Sequence, residues 1–263
     1  MMRKRGDIVQ KEGLSAATLK WIAAAAMTLD HIGLWCSLLG YSGIGLPLRI
    51  IGRIAAPVFL FLLTESLRHT SSRYRYLLRL WLGAVLHGAV GLLLSRLTGE
   101  TMWLGNIFPT LFYTALTVTS IDALRKNRAF LPLLLLAAVI ALGVLCDGSL
   151  LSLLFPRLTE VEYSLLFVLL GVGWYYGKER ARQLLLFLFL CLLSVLIPSG
   201  HPLITALGFS PLFYSTQGWM LLALPLIALY NGERGRAPRA FFYWYYPLHQ
   251  YVLLFFAILI KSA

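Results

Sequence analysis

The sequence predicts an all-α fold, a polytopic membrane bundle of about nine transmembrane helices. Of the 263 residues, 59% are hydrophobic and only 13% are charged, whereas an average globular protein has about 25% charged residues. The apolar residues also form stretches that approach the roughly 20 residues a helix needs to cross a bilayer. We therefore interpret residues 1–263 as one membrane domain, with residues 1–18 as a cytoplasmic N-terminal segment.

Nine apolar stretches define the predicted spans. Their approximate bounds are 20–40, 47–66, 76–94, 106–121, 130–146, 163–177, 183–197, 218–230 and 241–260. Pro57 lies inside the second stretch, where a proline interrupts helical hydrogen bonding and bends the helix. The segment 202–213 contains two prolines, and we interpret it as a loop or a re-entrant segment.

The basic residues predict the orientation of the bundle, because cytoplasmic loops are enriched in Lys and Arg. With the N-terminus inside, eighteen Lys and Arg residues lie in predicted cytoplasmic segments and only four lie in outer ones. Nine spans with a cytoplasmic N-terminus and an outer C-terminus satisfy this rule, whereas an even number would place Arg234, Arg236 and Arg239 outside. This topology indicates a multi-pass membrane protein.

The net charge of +12 does not indicate a nucleic-acid partner, because the basic residues fall between apolar stretches and not on one arm or face. The three cysteines have no C-x-x-C spacing, so we predict neither a disulfide framework nor a metal site. The expected surroundings are membrane lipid, and a homodimer is compatible with the sequence.

An acid and an imidazole, Asp30 and His31, lie side by side in the first predicted span. A charged group at the centre of a bilayer costs roughly 2.5–3.5 kcal/mol on insertion scales. Lys20 marks the inner end of this helix, and at about 1.5 Å per residue His31 lies about 16 Å deeper. Because adjacent residues on a helix do not face each other, we expect Asp30 and His31 to have different partners. Hydrogen bonding between helices is the alternative role for both.

Other spans carry candidate partners for these two residues. Arg53 lies at a depth that Asp30 could reach, and an Arg–Asp pair would satisfy both buried charges. His249 lies well inside the last span, and we expect it to line the same cavity as His31. Asn106 opens the fourth span, either as a helix cap or as a substrate-binding residue.

A polar, basic cluster is predicted at the cytoplasmic end of the second span. Glu65 and His69 are four residues apart and therefore share one helix face, and Arg68, Arg73 and Arg75 lie close to them in sequence. Arginine recognises phosphate well. The cluster thus predicts a binding site for a phosphorylated ligand from the cytosol, unless it is only a solvated helix end.

Four blocks of the sequence resemble the TraX family. They read LKWI…MTLDHIG at 19–33, GRIAAPVFLFLLTE…HT at 52–70, NIFPT at 106–110 and FY…YPLH at 242–249. The middle of the chain, from about 129 to 238, is only generically similar. The family is named for a conjugative protein that acetylates the N-terminus of F-type pilin, and it resembles membrane acyltransferases that O-acetylate sugars. Lys20 and His31 reproduce the spacing of a basic residue and a histidine in the first span of that group.

The resemblance implies transfer of an acetyl group from cytosolic acetyl-CoA, as co-substrate, to an acceptor protein or glycan. His31 is then the general base, with Asp30, Arg53 and His249 as further catalytic residues and Asn106 as a substrate-binding residue. The residues expected to contact acetyl-CoA are Lys20, Glu65, Arg68, His69, Arg73, Arg75, Arg79, Tyr243 and Tyr246. Direct transfer and transfer through an acyl-histidine both stay open, as do N- and O-acetylation.

Two other functions are compatible with the sequence. In a proton-coupled transporter, Asp30, His31 and Arg53 would form a proton relay. Such carriers often contain inverted repeats, and no internal repeat is found in this sequence. In a non-catalytic assembly factor, substitution of His31 and His249 would be harmless.

Overall fold

The structure is a computed structural model that describes residues 12–98, 104–126, 130–146, 150–156, 158, 163–196 and 217–262. Within these ranges the regular structure is helical, with no β-strand, and a single β-bridge joins Leu14 to Tyr230. The predicted all-α class is therefore confirmed. Segment 202–213 lies outside the described residues.

Ten α-helices follow one another along the described ranges. They are α1 (Ala16–Leu38), α2 (Ser42–Gly52), α3 (Ala55–His69), α4 (Arg73–Thr98), α5 (Phe108–Arg125), α6 (Leu131–Leu145), α7 (Ser164–Tyr176), α8 (Arg180–Leu196), α9 (Leu224–Ala228) and α10 (Arg239–Ser262). Short 3₁₀ helices cover Leu150–Leu153 and Gln217–Ala223.

Three stretches are long and apolar enough to cross a membrane: Ala16–Leu38, the α2–α3 stretch Ser42–His69, and Arg73–Thr98. Shorter apolar helices cover Leu131–Leu145, Leu165–Tyr176 and Gln217–Ala228. These lengths and compositions are those of a membrane protein. The number of nine spans and their orientation stay predictions.

Two predicted spans differ from the helices of the structure. The second span is not one helix, because α2 ends at Gly52 and α3 begins at Ala55, with a turn at Arg53 and Ile54. Pro57 follows directly; it has no N–H with which to continue the hydrogen-bond ladder back to Arg53. The described part of the eighth span is a 3₁₀ helix followed by the five-residue α9, and not a continuous α-helix.

Small residues bring α1 and α2 into close contact. A side chain at Gly33 would lie 2.6 Å from the carbonyl oxygen of Gly45, and one at Gly52 would lie 2.2 Å from Cβ of Asp30. Only residues without a side chain allow two helix backbones to approach this closely, as in membrane proteins generally. The glycines therefore fix Asp30 directly beside the turn that carries Arg53.

Helices α3 and α5 form the centre of the structure. Ten of the fifteen residues of α3 and eleven of the eighteen residues of α5 are buried. Buried hydroxyls on α5 find carbonyl acceptors in their own helix and beyond it. Thr114 donates to the carbonyl oxygen of Thr110, Ser120 lies within hydrogen-bond distance of those of Leu116 and Pro132, and Tyr113 donates to that of Pro156. Hydrogen bonds of this kind make polar residues compatible with an apolar interior.

Candidate active site

A buried ion pair joins α1 to the turn before α3. The guanidinium of Arg53 donates to Oδ1 of Asp30 through both Nε and Nη2, with the Nε contact at 3.1 Å. Only 8% of Asp30 and 5% of Arg53 are exposed. A buried charge needs both a partner and hydrogen bonds, and this pair supplies both. The structure thus brings together the two residues whose pairing the sequence suggested.

Two histidines from opposite ends of the chain are in contact. Nε2 of His249, on α10, lies 2.9 Å from Nδ1 of His31, on α1. Nδ1 of His31 also lies 2.9 Å from the carbonyl oxygen of Met27, and Nδ1 of His249 lies 2.8 Å from that of Tyr245. His249 therefore contacts His31 directly but, contrary to the expectation from the sequence, it does not line the cavity beside His31.

These contacts assign the protons of the two neutral imidazoles. A carbonyl oxygen can only accept, so Nδ1 of His249 carries its proton and its Nε2 is an acceptor. Nδ1 of His31 then donates both to Met27 and to His249. This leaves Nε2 of His31 with a free lone pair, and within the described part of the chain it makes no hydrogen bond. A lone pair in that position is what a general base requires.

Tyr245, one helical turn before His249, holds α10 against α1. Thr28 donates to the carbonyl oxygen of Ala24 at 3.0 Å, so its oxygen accepts the hydroxyl of Tyr245 at 2.6 Å. The Tyr245 ring also stacks on the His249 ring, with centroids 5.3 Å apart and planes 15° apart. The orientation of His249 is therefore fixed by its neighbours.

A water-sized cavity lies beside His31. Its volume is about 20 Å³, and a site needs roughly 10–15 Å³ to hold one water. Its lining consists of Met27, Asp30, His31, Gly52, Ala55, Ala56, Phe59, Ile107, Tyr163 and Tyr246. We call this the small cavity. It places His31 next to a space of about the size of one water.

A second, much larger cavity of about 820 Å³ adjoins the first. It opens among the beginning of α1, the end of α3, the beginning of α4 and the segment before α10. Its charged and polar lining includes Lys20, Glu65, His69, Arg75, Arg79, Arg234, Tyr243 and Tyr246. We call this the large cavity. It contains four Lys and Arg side chains against one carboxylate, and therefore attracts anions.

Two arginines expected at this site lie elsewhere. Arg68 pairs with Glu65 and donates to the carbonyl oxygens of Trp174 and Tyr175, at 2.7 and 2.9 Å, where α7 ends. Arg73 lies 2.8 Å from Asp122 of α5. Neither lines the large cavity. Their side chains connect helices, so we leave them out of the proposed ligand site.

Asp122 is the centre of this inter-helix contact, just beyond the predicted 106–121 span. Its two carboxylate oxygens accept the hydroxyls of Tyr175 and Tyr176 at 2.7 and 2.8 Å. Burial raises the pKa of the carboxyl, but these hydrogen bonds and the charge of Arg73 outweigh burial and lower that pKa. The ionised form of Asp122 is thus the form that the fold stabilises.

Asn106 lies in a structural position. Its Oδ1 accepts the backbone N–H of Phe108 at the start of α5, and its Nδ2 donates to the carbonyl oxygen of Ala84. These are the contacts of a helix cap that also joins two helices. Asn106 lines neither of the two cavities, so its predicted contact with substrate has no support from its position.

Several residues at the site were not anticipated from the sequence: Phe59, Ile107, Tyr163, Tyr245 and Arg234. Phe59 and Ile107 belong to the blocks GRIAAPVF and NIFPT, so their place in those blocks was an available signal. Tyr163 directly precedes α7 and has a left-handed backbone, φ +66°. Nothing in the local sequence indicates that conformation.

The fold and site define a class of protein: a helical protein with membrane-length helices, in which two histidines contact each other near a small cavity that adjoins a larger basic one. A family model described as TraX protein matches residues 15–257, nearly the whole chain. The chain belongs to the TraX family, which confirms the resemblance of its sequence blocks. No curated protein and no solved structure matches the chain.

Proposed function

We propose that this protein is an integral-membrane acetyltransferase of the bacterial inner membrane. It moves an acetyl group from acetyl-CoA to an amine or hydroxyl of a protein or glycan at or across the membrane. The observation that carries the proposal is the position of His31, which lines a small cavity that adjoins a large basic one and whose Nε2 makes no hydrogen bond within the described part of the chain. The association of the TraX family with F-pilin acetylation supports the same chemistry.

His31 acts as the general base. Its Nε2 takes the proton from the acceptor N–H or O–H while the acceptor atom attacks the thioester carbonyl carbon. The C–S bond then breaks, and the proton on Nε2 passes to the sulfur to give free CoA. General bases of this kind contribute about 10²- to 10⁴-fold to a rate. The alternative of attack by His31 itself, through an acyl-histidine, uses the same nitrogen.

His249 and the ion pair position this base. By accepting the proton of Nδ1 at 2.9 Å, His249 holds His31 in the tautomer whose Nε2 is free. It also stabilises the imidazolium that forms when Nε2 is protonated, as the third member of a catalytic triad does. The Asp30–Arg53 pair fixes the helix segment next to His31 and leaves no uncompensated charge beside it.

The large cavity binds CoA. Lys20, Arg75, Arg79 and Arg234 line it, and such side chains suit the phosphate groups of a nucleotide. A volume of about 820 Å³ falls within the roughly 300–1,000 Å³ of ordinary ligand sites. With the predicted cytoplasmic N-terminus, this cavity faces the cytosol, where acetyl-CoA is found.

Isothermal titration calorimetry with the purified protein tests the donor. We expect acetyl-CoA and CoA to bind, and we expect the double variant Arg75→Ala/Arg79→Ala to bind both more weakly. Absence of binding at saturating ligand would overturn the proposal. It would favour a proton-coupled transporter, for which the buried Asp30, Arg53 and His31 are the observation to pursue.

Mass spectrometry identifies the acceptor. Surface glycans and membrane proteins are compared between cells with and without the gene, and between cells that express the wild type and the His31→Ala variant. The measured quantity is the mass of each candidate acceptor. We expect a mass increase of about 42 Da, which corresponds to one acetyl group in place of one hydrogen, only in cells with the active protein. An acetylated product in cells that express only His31→Ala would contradict the assignment of the base.

A further inference from the structure

Three side chains separate the small cavity from the large one. Phe59, Ile107 and Tyr246 line both cavities, and they are the only described residues that do. They come from α3, from the residue before α5 and from α10. A donor whose CoA portion lies in the large cavity can bring its acyl end to His31 only past these three side chains. We call them the dividing wall.

The dividing wall is held in place by hydrogen bonds and packing. The hydroxyl of Tyr246 accepts the backbone N–H of Ile107 at 2.9 Å and donates to the carbonyl oxygen of Gly105 at 2.8 Å. The Phe108 ring packs edge-on against the Tyr246 ring, with centroids 4.9 Å apart. A tyrosine fixed at its ring and at its hydroxyl cannot swing aside without breaking these contacts.

The space behind the wall is very small. At about 20 Å³, the small cavity has room for about one water-sized group. A methyl group is close to that size, so the end of an acetyl group fits there. Propionyl is longer by one methylene. That methylene would clash with the ring of Phe59, with the fixed Tyr246 or with the backbone of α1 and α2.

We propose that Phe59, Ile107 and Tyr246 determine the length of the acyl group that this protein accepts. The inference rests on the proposed function, because it assumes that an acyl-CoA occupies the large cavity. It goes beyond that function by assigning donor selectivity to three residues that do no chemistry. Acetyl is accepted because the wall leaves room for one methyl group beside His31, and longer chains are refused by the wall and not by the CoA site.

Calorimetric titrations with acetyl-CoA, propionyl-CoA and CoA test the inference. The wild type is compared with Phe59→Ala and Ile107→Ala, which open the wall. Leu111→Ala is the matched control: it lies one turn beyond Ile107, removes the same number of carbon atoms, and lines the large cavity only. The quantity compared is the ratio of the Kd for propionyl-CoA to the Kd for acetyl-CoA, because changes in CoA binding cancel in it.

We expect propionyl-CoA to bind the wild type about 10- to 200-fold more weakly than acetyl-CoA, the range that one methylene produces in a confined apolar site. The ratio should fall towards one in Phe59→Ala and Ile107→Ala and stay at the wild-type value in Leu111→Ala. Equal binding of both donors by the wild type, an unchanged ratio in the wall variants, or an equal fall in Leu111→Ala would overturn the inference.

If a wall variant fails to fold, the smaller changes Phe59→Leu and Ile107→Val replace it, and the ratio should fall in them as well; an unchanged ratio in these variants would overturn the inference. Failure of the proposed function has a different signature, since the wild type would then bind neither acetyl-CoA nor CoA. Binding of both donors with equal affinity would reject only the dividing wall as the determinant of acyl length.

Discussion

The two cavities differ in what their polar groups do. In the small cavity of about 20 Å³, Asp30 is paired with Arg53 and His31 is bonded to His249. In the large cavity of about 820 Å³, basic side chains surround an open volume. The comparison teaches that one region holds its polar side chains in fixed contacts with one another, whereas the other presents basic side chains to an open volume and therefore attracts anions. Substitutions in the first should therefore change transfer or stability, and substitutions in the second should change binding.

The largest effect is expected for His31→Ala. We expect acetyl transfer in cells to fall by about 10²- to 10⁴-fold, since that is the contribution of a general base. Mass spectrometry of the acetylated acceptor measures this loss. The Kd for CoA, which lacks the acetyl group, should stay unchanged in calorimetry because His31 does not line the large cavity. A large loss of binding would contradict the assignment of transfer to the small cavity and of ligand binding to the large cavity.

The second-largest effect is expected when the ion pair between Asp30 and Arg53 is broken. Arg53→Leu leaves Asp30 as a buried carboxylate without its partner, which costs about 3–5 kcal/mol of stability. Thermal unfolding of the purified protein, followed by intrinsic fluorescence, measures the loss. The double variant Asp30→Asn/Arg53→Leu removes both charges and should recover much of it. If the double variant is no more stable than Arg53→Leu, the loss of stability in Arg53→Leu does not come from the unpaired carboxylate of Asp30.

A smaller effect is expected for the arginines of the large cavity. A hydrogen bond to a charged group contributes about 1.5–3 kcal/mol, so Arg79→Ala should weaken acetyl-CoA binding about tenfold or more. Arg73→Ala is the control on the same helix: Arg73 lies 2.8 Å from Asp122 and away from the cavity. Calorimetry should show an unchanged Kd for Arg73→Ala. Equal weakening in both variants would mean that the two arginines share one function.

The smallest effect is expected at Asp122, far from both cavities. Its pKa is lowered in the folded state, so the ionised carboxylate stabilises the fold above its unfolded pKa of about 3.9. That contribution is lost as the pH falls through the lowered native pKa. Asp122→Asn should therefore cost up to about 1 kcal/mol at pH 7, and the difference from the wild type should shrink below about pH 4. Thermal unfolding at several pH values measures this; a difference that grows in acid would contradict it.

The sequence predicted the helical class and the charged and imidazole side chains of the site because both depend on strong local signals. Apolar stretches of membrane length indicate helices, and a charged residue in such a stretch demands a partner. Asp30, Arg53, His31 and His249 were found in this way. The partners could be matched because each stretch offers very few polar residues.

The dividing wall and the arginine contacts could not be predicted in the same way. Phe59 and Ile107 are apolar residues among many others, and only the packing of α3, α5 and α10 distinguishes them. Arg68 and Arg73 were grouped with Arg75 because they are close in sequence. Arg68 has one local partner, Glu65, three residues before it. The other partners of the two arginines lie on α7 and α5, about 50 to 110 residues away, and no local pattern records contacts over that distance.

The glycine contact between α1 and α2 has a consequence for how the chain is made. Asp30 and Arg53 both lie in the first 53 residues, and the close approach at Gly33, Gly45 and Gly52 involves only α1 and α2. Everything needed to neutralise this pair is therefore present once the first two helices and the turn after them have been synthesised. The two charges can enter the bilayer as a neutral hairpin, before any later helix exists to shield them.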